Sequence, residues 1–117
     1  MTRATIFHNP RCSKSRKTLA LLEERDVDVE IVRYLESPPS VKDLDSLCTL
    51  LDVAPIDTTR TGESRLNELG LSPNDDRSRQ EWLQILHDNP VLIQRPIVHC
   101  EGKATIGRPP ENVLDIL

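Results

Sequence analysis

One cysteine of the chain, Cys12, stands among residues that favour a reactive thiolate. It lies between a strand-like run and a helix-like run, where free backbone N–H groups and the positive end of the helix dipole are found. Basic and hydroxyl side chains flank it closely: Arg11, Ser13, Lys14, Ser15 and Arg16. Such surroundings lower a cysteine pKa, and the same N–H groups and cations can hold a small oxyanion. The segment therefore predicts nucleophilic thiol chemistry on a small anionic substrate.

The other two cysteines, Cys48 and Cys100, carry weaker signals. Cys48 lies on the apolar stripe of a predicted helix and is expected to be a core residue. Cys100 ends a predicted strand, and no sequence neighbour would lower its pKa, although a role as a resolving thiol stays open. The chain has no C-x-x-C pair, so neither a dithiol motif nor a metal site is expected. A reduction at Cys12 would need a second thiol from another molecule.

Two further features of the segment bear on its chemistry. His8 is near enough in sequence to pair with Cys12 and assist its deprotonation, and the alternative is a strand-end histidine whose ring bonds to backbone. A phosphotyrosine-phosphatase loop would need arginine six residues after the cysteine. Thr18 occupies that position, so phosphatase chemistry of that kind is excluded.

Composition limits the remaining classes. The chain has 117 residues, with 37% hydrophobic and 29% charged residues, which suits one globular domain. The net charge of −4 and the three aromatic residues (one each of Phe, Trp and Tyr) argue against a nucleic-acid partner. No apolar run is long enough to cross a membrane and no secretory signal is visible. We therefore expect a cytoplasmic protein.

A strand, a helix and a second strand open the chain and position Cys12. Residues 4–8 are rich in β-formers and stop at Asn9-Pro10. Residues 13–25 carry a helical apolar face with Ser13 as the expected N-cap, and residues 28–34 alternate as a strand. This order predicts a βαβ unit with a parallel strand pair.

Helices are predicted through the middle of the chain. Ser40 begins a sequence like a capping box, and apolar residues at helical spacing follow over residues 41–51. Shorter helices are predicted over residues 63–69 and 77–87, the last ending before Asn89-Pro90.

Strands return near the end of the chain. Two predicted strands, residues 97–100 and 103–106, flank Glu101-Gly102 as a hairpin turn, and Pro110 suits the first turn of a terminal helix. The complete order is β-α-β, helices, then β-β-α. We therefore predict an α/β, thioredoxin-like fold in a single domain, residues 1–117, with a helical insertion at about residues 40–90.

Three motifs of the chain resemble those of a known family: residues 8–16 (HNPRCSKSR), Asn89-Pro90 with residues 94–98 (QRPIV), and residues 107–110 (GRPP). Together they resemble the glutaredoxin-coupled arsenate reductases of the ArsC family, in its YfgD-like branch. The resemblance implies that Cys12 is the catalytic nucleophile, tuned by His8 and Ser15. It also implies an oxyanion-binding set: Arg60, Arg95 and Arg108. The surroundings of Arg60 depart from the family pattern, so Arg65 stays an alternative.

The chemistry of arginine agrees with those assignments, because its planar fork of donors suits a tetrahedral oxyanion and stays charged. Thioredoxin-like folds hold a cis-proline beside the active thiol. We therefore predict a cis Arg95-Pro96 bond, with Arg95 against Cys12 and Pro96 in a supporting role.

The resemblance implies reduction of arsenate or a similar small oxyanion by a monomer with no tightly bound cofactor. Glutathione is the expected co-substrate and glutaredoxin the expected partner. One alternative is a thiol oxidoreductase of the same fold acting on glutathione mixed disulfides. Another is a Spx-type regulator that binds RNA polymerase. Such regulators usually carry a C-x-x-C switch, and Ser15 stands at its second cysteine position here.

Overall fold

A four-stranded mixed sheet forms the centre of the first of two compact units in the chain. The computed structural model describes residues 3–72 and 74–117. The first unit comprises the chain up to Ser37 together with Arg95–Leu117, and the second comprises Pro38–Gln94. The second unit covers the region of the predicted helical insertion. That the whole chain forms one domain stays a prediction.

The sheet brings three chain segments together at one end of its strands. Its strands are β1 (Arg3–Phe7), β2 (Asp28–Val32), β3 (Ile97–Cys100) and β4 (Lys103–Ile106), in the order β2-β1-β3-β4. β1 and β2 are parallel, as predicted, whereas β3 runs antiparallel to β1 and β4. The carboxyl ends of β1 and β2 therefore meet the amino end of β3.

One face of this sheet packs on helix α1 (Ser13–Glu24). Alternate residues of β1, Ala4 and Ile6, point into a cluster with Val98 and Leu22. Ile6, Leu22 and Val98 have no solvent exposure. The cluster fixes α1 against β1, and so fixes the loop between them that carries Cys12.

The hairpin between β3 and β4 turns at the two predicted residues. Glu101 and Gly102 both have positive φ, 47° and 81°, as a two-residue type I′ turn requires. Glycine adopts this conformation freely, whereas Glu101 is held there by the pairing of Cys100 with Lys103.

The second unit is helical, with α2 (Val41–Leu51), α3 (Ser64–Glu68) and α4 (Arg79–Asp88). The Ser40 hydroxyl accepts a hydrogen bond from the Asp43 N–H at 3.0 Å, which confirms the predicted N-cap of α2. Cys48 is 2% exposed, which confirms it as a core residue.

Two local predictions are wrong. Ser13 is the first helical residue of α1, and Cys12 is the N-cap, with an extended backbone (φ −92°, ψ 122°). The terminal helix, Pro110–Asp115, is a 3₁₀ helix that starts at Pro110, so only its first turn is as predicted. Among the described residues, no helix combines the length and apolar character that crossing a membrane requires.

Candidate functional site

Cys12 follows the carboxyl end of β1, in a tight turn that leads into α1. Its backbone N–H donates to the Asn9 carbonyl at 3.0 Å, and the Asn9 side-chain oxygen accepts from the Arg11 N–H at 3.0 Å. Cys12 is the N-cap of α1, next to the first helical turn, whose N–H groups have no partner within the helix. The residue is buried, with 9% of its surface exposed.

The pKa of the Cys12 thiol is lowered even though burial raises it. The opposing groups are, in order, a side-chain hydrogen bond from Arg95, the backbone N–H groups of Ser15 and Lys14, and the charge of Arg95. For the thiols of Cys48 and Cys100, burial dominates and raises the pKa. Cys12 is therefore the thiol of the three that is primed for nucleophilic attack.

The basic side chains beside Cys12 in sequence contribute less than predicted. Arg11, Lys14 and Arg16 are all exposed, and the Arg16 guanidinium donates to the Pro10 carbonyl at 2.9 Å. Solvent screens charges of this kind. The main cationic partner of the sulfur is instead Arg95, from the opposite end of the sequence.

A buried pair, His8 and Ser15, lies behind the turn. The His8 Nδ1 and the Ser15 Oγ are 2.6 Å apart, and the Asn9 N–H donates to the same hydroxyl at 3.1 Å. Burial, Arg33 and Arg16 lower the pKa of His8, so the imidazole is neutral near pH 7. The Ser15 hydroxyl, one of the side chains that flank Cys12 in sequence, thus bonds to the chain just after β1, and the Ser15 N–H is the group that lowers the pKa of Cys12.

Arg95 and Arg108 occupy adjoining turns of the chain. The Arg95-Pro96 bond is cis, which confirms that prediction. Arg108 donates from Nε to the Arg95 carbonyl at 2.7 Å, and the Gly107 N–H donates to the Pro96 carbonyl at 2.8 Å. These bonds tie the two predicted oxyanion-binding arginines together at the amino end of β3.

Comparison with known proteins places this site in a family. The ArsC family model matches residues 7–116. The chain belongs to the ArsC family. An arsenate reductase of Neisseria meningitidis serogroup A is 42% identical over the full length of both chains. The uncharacterized protein YfgD of Escherichia coli is 46% identical, over 96% of this chain and 94% of its own.

A solved ArsC-type structure confirms the fold. The arsenate reductase from Vibrio cholerae superposes with a TM-score of 0.94 and 42% identity, covering 99% of this chain and 98% of its own. The thioredoxin-like α/β fold predicted from the order of strands and helices is therefore correct, and so is the predicted family.

The third predicted oxyanion-binding arginine belongs to the second unit. Arg60 has a 22% exposed side chain with Glu63 at 3.9 Å. The alternative, Arg65, donates to Asn89 at 3.1 Å and to Glu68 at 3.3 Å. Arg65 is thus engaged on the surface of its own unit, and the assignment of Arg60 stays a prediction.

Sequence reasoning missed one residue of the sheet edge, Tyr34. Its side chain is fully buried, and burial raises the pKa of its hydroxyl while the Arg95 and Asn9 side chains beside it lower that pKa. Its place two residues after a strand parallel to β1 was the available signal.

Across residues 3–72 and 74–117, no group of three or more His, Cys, Asp and Glu side chains is arranged to hold a metal ion.

Proposed function

We propose that this ArsC-family chain reduces arsenate to arsenite through the Cys12 thiolate. The observation that carries the proposal is a helix-capping cysteine whose pKa Arg95 and two backbone N–H groups lower. The full-length similarity to the meningococcal protein named arsenate reductase supports the choice of substrate.

The first step is attack of the thiolate on arsenic. A Cys12–S–As bond forms and hydroxide or water leaves, while arsenic stays pentavalent. We assign Arg95 and Arg108, with Arg60, to the charge of the oxyanion, because arginine provides fixed planar donors. The N–H groups of the first turn of α1 can stabilise the same negative charge.

His8 and Ser15 support this step from behind the nucleophile. The bond between Nδ1 and Oγ, with the Asn9 N–H on the same oxygen, fixes the start of α1 against the end of β1. This arrangement holds the Ser15 N–H towards Cys12. The pair therefore acts through the geometry of the helix end.

The second step needs two electrons from outside the chain. Cys48 and Cys100 are 2% and 1% exposed, and burial raises the pKa of both. Cys100 also lies at the other end of β3 from the Arg95 turn, so neither residue suits a resolving thiol. Glutathione is the proposed second thiol: it forms a disulfide with Cys12 as the S–As bond breaks and arsenic becomes trivalent. Glutaredoxin and further glutathione then release the reduced Cys12.

The test is arsenate reduction with glutathione and glutaredoxin, using native protein, Cys12→Ser and Cys48→Ser. We expect Cys12→Ser to lose all activity and Cys48→Ser to retain it. Arsenate reduction by Cys12→Ser would contradict the mechanism. If native protein reduces a glutathionylated substrate and leaves arsenate unchanged, glutathione mixed disulfides would become the proposed substrate in place of arsenate. We also propose that the protein is a cytoplasmic monomer without a tightly bound cofactor. Gel filtration of the assayed protein measures its oligomeric state.

A further inference from the structure

Helix α1 carries positive charge at the end where a helix disfavours it. Lys14, Arg16 and Lys17 are among its first five residues, and its first turn has no acidic residue. The helix dipole favours anions at this end and cations at the other. Lys14 and Lys17 are also three residues apart, a spacing at which like charges destabilise a helix. Residues that break a local rule of stability in this way point to a function.

These cations also lack acidic partners. The first 22 residues contain five basic residues and no Asp or Glu, although the whole chain has a net charge of −4. Within residues 3–72 and 74–117, five other arginines form the ion pairs, and the basic residues at the start of α1 take part in none. Arg95, rather than these exposed side chains, is the cation that lowers the pKa of Cys12. The chemistry of the sulfur therefore does not account for them.

The same positive surface continues across the end of the sheet to β2. The His8 N–H donates to the Val32 carbonyl at 2.8 Å, so Arg33, the next residue, lies beside the chain that leads to Cys12. The charges of Arg33 and Arg16 both reach His8, whose pKa they lower. This basic surface has five members, all of them exposed: Arg11, Lys14, Arg16, Lys17 and Arg33.

A protein that delivers a thiol to Cys12 has to cover this basic surface. Cys12 is only 9% exposed, so the partner has to lay its own surface against the turn. Transient redox complexes bury up to about 600 Å² on each partner, a patch about 14 Å in radius. Lys17, five residues after Cys12, is about 7.5 Å further along the helix axis. The partner therefore meets the basic surface as it meets the thiol, whereas a small oxyanion covers only a fraction of that area.

We propose that the basic surface is the docking site for the thiol protein that regenerates Cys12, and that this partner is acidic around its own reactive cysteine. The inference rests on the proposed function, in which glutaredoxin is that partner. The glutaredoxin thiolate attacks the glutathione sulfur of the Cys12–glutathione disulfide. A glutaredoxin–glutathione disulfide forms, and Cys12 leaves as a thiolate.

Docking by charge suits a partner that has to leave after each transfer. Complementary charges raise the rate at which two surfaces meet, and salt reduces that effect. Such steering does not require a large apolar area to be buried, so the complex can also separate quickly. The basic surface thus predicts fast, salt-sensitive reduction by an acidic partner.

The test measures the second-order rate constant with which reduced glutaredoxin releases Cys12 from its purified glutathione disulfide. For native protein it should fall about tenfold as ionic strength rises from about 0.1 M to about 1 M, where the Debye length shrinks from about 10 Å to about 3 Å. The double variant Lys17→Glu with Arg33→Glu should be about tenfold slower than native at the lower ionic strength. At the higher one, the two proteins should differ by less than about twofold.

The matched control is the double variant Arg25→Glu with Lys103→Glu, which changes the net charge by the same amount. Both residues are exposed. Arg25 follows the far end of α1, and Lys103 begins β4 beside the hairpin turn, at the opposite end of the sheet from Cys12. The length of α1, about 18 Å, exceeds the Debye length of about 10 Å. This control should therefore stay within about twofold of native.

A neutral thiol, β-mercaptoethanol, separates docking from the reactivity of the disulfide itself. Each glutaredoxin rate constant is divided by the rate constant for β-mercaptoethanol on the same protein, and far-ultraviolet circular dichroism checks that each variant is folded. An equal or larger ratio in Lys17→Glu with Arg33→Glu than in native protein, or the same loss in both double variants, would overturn the inference and leave the proposed function standing. A native disulfide that glutaredoxin reduces no faster than β-mercaptoethanol does would overturn the inference together with the glutaredoxin step.

Discussion

Replacing Arg95 by Gln should make Cys12 a weaker nucleophile. The guanidinium opposes the effect of burial on the Cys12 thiol through both a hydrogen bond and its charge. A hydrogen bond to a charged group contributes about 1.5–3 kcal/mol, and about 1.4 kcal/mol is a factor of ten in an equilibrium constant. The lower end of that range predicts about a tenfold smaller ionisation constant for the Cys12 thiol.

The assay is alkylation of Cys12 by iodoacetamide as a function of pH, with peptide mass spectrometry to assign the labelled cysteine. Cys48 and Cys100 should label slowly, since both are buried and have raised pKa values. In Arg95→Gln, the midpoint of the Cys12 profile should move to higher pH. Arg95→Lys should give an intermediate profile, because lysine keeps the charge and loses the planar fork.

Arg25→Gln is the matched control for charge. Arg25 caps the far end of the 12-residue α1, which is about 18 Å long at 1.5 Å per residue. That distance exceeds the Debye length of about 8 Å at physiological ionic strength, so the profile should stay native. An unchanged profile in Arg95→Gln, or an equal shift in Arg25→Gln, would refute the role given to Arg95.

Two further predictions concern stability. The lowered pKa of His8 means that the unfolded chain takes up a proton on this residue at higher pH than the folded chain does, so the free energy of unfolding should drop as pH falls through 6.5. His8→Asn should show a smaller drop in urea titrations, and an identical one would contradict the assignment. Gly107→Ala should destabilise by about 1–3 kcal/mol, because its Cβ would lie 2.6 Å from the Thr18 hydroxyl. Gly62→Ala, with open space around the new Cβ, is the control, and equal denaturation midpoints would argue against overpacking.

The secondary structure follows from local patterns where capping and periodicity agree. The helix α2 begins and ends where the spacing of its apolar residues predicts, and the Ser40 hydroxyl caps it. The β3–β4 hairpin likewise turns at Glu101 and Gly102. The segment from Pro110 lacks such agreement: its proline fixes the first turn, but its 3₁₀ geometry is set by packing against α1 and β4.

Only part of the candidate site could be predicted from the sequence. Cys12 could be found because its place between strand and helix is a local property. Its electrostatic partners were predicted wrongly in part, since neighbours in sequence such as Lys14 extend their side chains into solvent. Arg95 was found through the family resemblance and the cis-proline of the fold. Its effect on the sulfur depends on the pairing of β1 with β3, which local sequence does not encode.

Net charge predicts little about a site for one small anion. A chain of net charge −4 argues against extended polyanions, yet one small oxyanion needs only a few donors held in place. Here the first turn of α1 and the turn before β3 lie at the same end of the sheet. Backbone N–H groups at a helix start add nothing to the net charge. Their convergence depends on strand order and register, and these decide whether the edge can bind an anion.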